Sequence, residues 1–157
     1  MAFPLVLLAV AKTQPGAYQT LVDDFAGRVA RYAPFQMEII PEAKGMSDPA
    51  KATEREGQAL LLRLKPTDFL VLLDEQGTTC TSVQLSKHLQ QWMEQPQGRV
   101  VFALGGAHGY SAEVYQRARF QLALGPMTLP HQLARVVFLE QLYRSFTILK
   151  NESYHHA

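Results

Sequence analysis

Hydrophobic residues along this chain fall into short unbroken runs separated by windows of helical period. "PLVLLAV" (4–10), "FLVLLD" (69–74) and "RVVFALG" (99–105) are continuous and rich in β-prone residues, while "FQMEII" (35–40) alternates less cleanly. Runs without polar interruption fit strands buried on both faces, as in a parallel sheet covered by helices. Between them, residues 16–32 place Tyr18, Leu21, Val22, Phe25 and Val29 three and four apart. Residues 49–64 follow Asp48-Pro49, a cap with proline at the first helical position. Residues 82–95 set Val83, Leu85, Leu89 and Trp92 along a third helix, and "SAEVYQRARF" (111–120) is also helix-like. Strand and helix in alternation predict an α/β fold, a mostly parallel sheet with right-handed crossovers and helices on both faces. With no internal repeat, low-complexity tract or linker, residues 1–157 read as one domain.

The last predicted helix, residues 132–149, departs from the usual single apolar stripe. At 100° per residue, Leu133 and Val137 fall near one side, Val136 and Tyr143 near a second, and Leu142 and Phe146 near a third. Its charges are Arg135, Glu140 and Arg144. Such a helix needs partners on more than one side. One solution is a central position within the domain; the other is a second copy of the chain, which the C-terminal place of the helix favours.

Composition narrows the classes. Apolar residues make up 47% and charged residues 18%, which argues against disorder. No apolar run reaches the roughly 18 residues of a membrane span. The opening "MAFPLVLLAVAK" lacks a basic n-region and reads as a buried first strand rather than a secretory signal. Cys80 is the single cysteine, so no intrachain disulfide forms, and a reducing cytoplasm fits. The net charge of +1 hides an asymmetry. Residues 1–98 hold 9 Lys/Arg against 11 Asp/Glu, and residues 99–157 hold 6 against 3 with four of the five histidines. The C-terminal part is the better candidate for an anionic partner.

Three segments could carry chemistry. "ALGGAHGY" (103–110) follows a strong strand, where glycines let a ligand approach backbone N–H groups. It matches neither the Walker loop nor the dinucleotide fingerprint. "LLDEQG" (72–77) ends another strand, and Asp74 could accept from a ribose or a ligand amine. "LALGPMTLP" (122–130) runs from a short apolar stretch to the last helix. Gly125, Pro126 and Pro130 hold its amides and carbonyls in set directions, which suits reading the edge of a flat heteroaromatic ring. All three lie where open α/β sheets bind ligands. In the tail "NESYHHA", Tyr154, His155 and His156 are candidates for proton relay or phosphate contact, set against the ordinary fraying of a terminus. His131 reads as a helix-start residue, and His88 and Cys80 as surface or packing residues. No His, Asp or Glu set has metal-ligand spacing.

Taken together, "LGG-HG", "MTLPHQLARVVFLEQLYRSFTI" and the terminal "YH" resemble the SPOUT methyltransferases, most closely the RlmH branch that methylates a pseudouridine of large-subunit ribosomal RNA. The family pattern T-L-P-H-x-L-x-R-V-x-x-x-E-Q-L-Y-R-A is followed closely by residues 128–144. The resemblance implies a C-terminal deep trefoil knot, a homodimer, and S-adenosylmethionine held bent in the knot near the subunit interface. It carries the cofactor loops onto Leu73 and Asp74, onto Gly105 and Gly106, and onto Gly125, Pro126, Met127, Thr128, Leu129 and Pro130. It implies methylation at N3 of a pseudouridine in a hairpin of 23S ribosomal RNA, free or in the assembled ribosome. Tyr154, His155 and His156 then serve substrate contact or proton transfer, across the dimer interface.

Two departures stand out. The family commonly has "GGPEG" where this chain has "GGAHG", so Ala107 and His108 replace a proline and a carboxylate. Its terminal "YH" is usually followed by Arg or Lys, where this chain has His156, exchanging a permanent cation for a titratable one. Two rival readings follow: a SPOUT-fold dimer that binds cofactor without transfer, and a SPOUT methyltransferase acting on transfer RNA.

Overall fold

The computed structural model describes residues 4–95 and 98–156. Five strands, β1 (Leu5–Val10), β2 (Phe35–Ile40), β3 (Phe69–Thr79), β4 (Val100–Leu104) and β5 (Phe120–Ala123), form one sheet in the order β2-β1-β4-β3-β5. Every pairing is parallel. The strands alternate with helices α1 (Ala17–Ala30), α2 (Pro49–Leu62), α3 (Ser82–Met93), α4 (Ala112–Arg117) and α5 (His131–Leu149).

The layering follows from handedness. Successive crossovers move in opposite directions along the sheet, so right-handed connections put successive helices on opposite faces. Leu5, Leu7, Val71, Leu73 and Phe102 pack with residues of α1, α3 and α5 on one face, while Val6, Leu8, Leu70 and Leu72 pack with Leu60 of α2 and Val114 of α4 on the other. Adjacent residues of one strand serve opposite cores, which explains why β1, β3 and β4 are apolar without alternation. Local signals set the helix starts. The Asp48 side chain accepts from Ala50 N at 3.0 Å with Pro49 beginning α2, and Thr81 and Gln84 form a reciprocal capping box on α3.

Two elements differ from the sequence-based reading. The helix predicted over 111–120 stops at Arg117, and the apolar run after it is the edge strand β5. Four residues are too few for a period, and pairing with β3 decides their conformation. β3, expected to end at Asp74, resumes pairing at Thr78 after an irregularity that leaves Asp74 to Gly77 out of the ladder.

From β5 at one edge the chain returns across the C-terminal ends of the strands to start α5 beside the end of β1. Gln132 accepts from Gln14 N at 3.0 Å and donates to the Lys12 carbonyl at 3.1 Å. α5 then runs between α1 and α3, with Ser82 donating to Gln141 at 2.6 Å and Tyr32 stacked 5.2 Å from Phe146. Three neighbours in its own chain therefore supply much of the cover that its all-round hydrophobicity demands. Among the described residues no helix is long and apolar enough to cross a membrane, and no His/Cys/Asp/Glu group could hold a metal ion.

Candidate active site

At the C-terminal ends of β3, β4 and β5 the three connecting segments meet around a cleft of about 270 Å³. Leu73, Asp74, Gly105, Gly106, Gly125, Met127, Thr128 and Leu129 all line it. Pro126 and Pro130 do not face it; Pro130 instead caps α5, its carbonyl accepting from Ala134 N at 2.8 Å.

Tyr110 joins two of the segments. Its hydroxyl accepts from Gly105 N at 3.0 Å and shares its one proton between the Leu73 and Ala103 carbonyls, each 2.7 Å away. Burial pushes this phenol well above its ordinary value, so it stays a neutral donor. The strand ends β3 and β4 are thus pinned where a ligand would sit. Crowding, not a positive φ, favours glycine at position 105, while at position 106 the neighbour is the movable end of a side chain. A Cβ on Gly105 would stand 2.9 Å from the Tyr110 ring, and one on Gly106 2.7 Å from Glu56 Oε1. The left-handed turn falls at Gly109, with φ of 79°, whose N–H donates to the Gly106 carbonyl at 3.2 Å.

The third segment is tied to the first by Thr128, whose hydroxyl donates to Glu75 at 2.7 Å, both residues lining the cleft. Asp74 accepts from the Tyr115 hydroxyl at 2.8 Å and from Gln76 N at 3.0 Å. Burial and the Asp74 carboxylate raise the Tyr115 phenol to about 12.

Sequence reasoning missed several lining residues, namely Glu75, Tyr110, Leu124, Ala134 and, in part, His131. His131 is the first residue of α5, as expected, and it also faces the cleft. Arg135, fully buried one turn later, donates to the Val10 and Ala11 carbonyls at 3.2 and 2.9 Å and to Thr13 at 2.8 Å. It also lies 2.6 Å from His131 Nε2. Arginine has only donors, so that nitrogen accepts and the imidazole stays neutral. Burial, then the Arg135 charge, lowers the His131 pKa. Burial brings Arg135 itself down to about 10. A sequence signal existed: the i, i+4 spacing of His131 and Arg135 at the start of an apolar helix.

The tail is packed rather than frayed. Asn151 adopts a left-handed φ of 55°, and the Glu152 N–H returns to the Thr147 carbonyl at 2.9 Å, turning the chain back along α5. Tyr154 then donates to Glu140 at 3.2 Å, lies edge-on to Tyr143 at 4.7 Å, and sits under the Arg144 guanidinium at 4.7 Å. His155 accepts from Arg144 through Nδ1 at 3.1 Å, leaving Nε2 free, and His156 is exposed. Glu140 and Arg144 lie between two and four helical turns from His131, so within one chain these side chains do not join the cleft lining.

The cleft offers Leu73, Leu104, Leu124, Met127 and Leu129 as apolar cover, backbone groups for an edge, and carboxylates for a cation. That set fits a ligand that is part flat ring and part charged chain. A parallel sheet covered on both faces, with its ligand cleft formed by three loops and a returning C-terminal helix, is the architecture of a methyltransferase class. Residues 3–155 match the family model described as "Predicted SPOUT methyltransferase", and the chain belongs to that family.

Relatives sharpen the assignment. The chain is 41% identical to "Ribosomal RNA large subunit methyltransferase H" of Parabacteroides distasonis, over 96% of this chain and 97% of that one. Proteins of the same name from Flavobacterium johnsoniae and Anaeromyxobacter dehalogenans are 43% and 42% identical, covering 96% and 95% of this chain and 97% of each relative. A solved structure titled "Crystal structure of an hypothetical protein" shares the fold, with a TM-score of 0.52 at 14% identity over 95% of this chain and 68% of its own.

Proposed function

We propose that this protein is a 23S ribosomal RNA methyltransferase acting at N3 of a pseudouridine in a large-subunit hairpin. It uses S-adenosylmethionine, functions as a cytoplasmic homodimer, and threads its C-terminal segment as a trefoil knot. One observation carries the reading: three loops meet in a single cleft in a chain similar over nearly its whole length to proteins named as large-subunit ribosomal RNA methyltransferases. The return of the chain across the strand ends to β1 is compatible with threading.

When bound, the cofactor supplies an electrophilic methyl group, so the protein's main work is alignment. Leu73, Leu104, Leu124, Met127 and Leu129 would cover its apolar faces, and the backbone at 105–106 and 125–129 would meet its polar edges. Asp74 would meet hydroxyl or amine groups. For the acceptor, N3–H must lose its proton before nitrogen becomes a nucleophile. With Nδ1 accepting from Arg144, the His155 ring carries its proton on Nε2, so His155 and the Tyr154 hydroxyl are assigned to contact with the acceptor base, held by Arg144 and Glu140, and the N3 proton passes to water. Because the tail lies along α5 away from its own cleft, it acts on the cleft of the partner chain.

The test is methyl transfer from labelled cofactor into ribosomes prepared from a strain lacking the gene, with the product nucleoside mapped. Label at a pseudouridine of the large subunit is expected. Transfer to transfer RNA alone, or binding without transfer, would replace this reading with one of its rivals.

A further inference from the structure

We propose that the cleft selects its ligand by charge, with Glu75 as the residue that makes it hold a cationic sulfonium more tightly than the neutral thioether left after transfer. This rests on the cofactor reading above. The ionisable groups of the lining are unusually one-sided. Asp74 and Glu75 face the cleft, and among the described residues no lysine or arginine lines it. A third carboxylate, Glu56, stands behind Gly106, its Oε1 2.7 Å from where a Cβ would lie, and is held by the Ala43 N–H at 3.0 Å.

Among the described residues no cation pairs with Asp74, Glu75 or Glu56. Glu75 accepts from the Thr128 hydroxyl, and Asp74 from the Tyr115 hydroxyl and the Gln76 N–H. Hydrogen bonds from neutral donors fix their direction and leave the full negative charge to act on the cleft. Arg135 is buried behind His131, and its guanidinium is turned to the carbonyls that end β1. It also keeps His131 an acceptor, so this lining imidazole contributes no positive charge. Three carboxylates against one recessed cation leave the cleft negative.

A sulfonium cofactor and its thioether product share the adenosine and the amino acid end and differ by one positive charge and a methyl group. Backbone reading of the ring cannot tell them apart, but a field can. Holding the charged form and releasing the neutral one relieves product inhibition. Among the carboxylates of the lining, Asp74 is drawn to Tyr115 and Gln76, whereas Glu75 is fixed by a single bond to the Thr128 loop, so Glu75 is the one assigned to the sulfonium.

Calorimetric titration of the purified protein with S-adenosylmethionine, S-adenosylhomocysteine and sinefungin, which carries an ammonium in place of the sulfonium, tests this directly. In Glu75→Gln, which keeps an acceptor for Thr128, the two cationic ligands are expected to weaken by about three- to tenfold while the thioether changes by less than about twofold. The wild type supplies a second reading that no folding defect can mask: its preference for the cationic ligands should narrow as salt is raised. Equal weakening of all three ligands, or no change in any, together with a salt-independent preference, would overturn the proposal. If the wild type binds none of the three, the cofactor reading itself fails, which is a separate result.

Discussion

Tyr110 shows how much one side chain can do at this site. Its hydroxyl serves two carbonyls and one N–H at the ends of β3 and β4, all enclosed by the cleft wall. Removing it in Tyr110→Phe leaves those groups without a partner and should cost about 1–3 kcal/mol of stability, read from denaturant midpoints. Cofactor affinity should fall with it, because Leu73 and Gly105 lose their common anchor. His131 gives a pH signature. Its folded pKa lies below the ordinary 6.5, through burial first and Arg135 second, so the unfolded chain takes up the proton first. This contribution to stability is complete above about pH 6.5 and drains away as pH falls from there through the folded value. In Arg135→Met an NMR titration should find the His131 pKa moved up toward 6.5, and the loss on acidification correspondingly smaller. Tyr110 looked like the last letter of a glycine loop, because hydrogen bonds between distant segments leave no periodic trace, whereas His131 looked like a helix start and only its i, i+4 spacing from Arg135 carried a signal.

At the scale of elements, α3 and α5 carry the packing of their face of the sheet. Trp92 is 5% exposed and lies within 5.2–6.0 Å of Phe69, His88, Phe102 and Phe120. Trp92→Ala should destabilise by about 3–5 kcal/mol, seen as a lower thermal midpoint with cofactor contacts untouched. The His88 ring stacked on it bears out the packing role expected of that residue. Burial of Asp68 would raise its pKa, but Arg99 at 2.8 and 3.1 Å and the Lys65 N–H carry it below the ordinary 3.8. The link between β3 and β4 that it makes should hold above that value and weaken as pH falls below it. Most elements were legible in the pattern, since β1, β3 and β4 are apolar without break and α2 and α3 carry their caps in sequence. β5 was not, because four residues hold too little pattern, and its pairing comes from a neighbour across the sheet.

For the whole molecule, the distance between tail and cleft along α5 makes the dimer testable. Two variants, one lacking Tyr154 and His155 and one with Ala107→Trp to obstruct the cleft that Ala107 lines, should each be inactive alone. Mixed and reassembled, they should recover about a quarter of wild-type transfer, because half of the dimers are mixed and each has one complete site. No recovery in mixed dimers verified by sedimentation would place the tail in its own chain's site. Apart from β5, strand and helix types, together with the caps of α2 and α3 and the three chemically suggestive loops, were determined by sequence alone, because periodicity, capping and glycine or proline geometry are short-range effects. Only the tertiary structure decided that the loops share one cleft, that Glu75 and His131 belong to it, that α5 finds cover on two sides within its own chain, and that the tail lies apart. Those facts depend on contacts between residues as many as 125 positions apart, such as Arg135 with Val10, and chain folding rather than local preference brings such residues together.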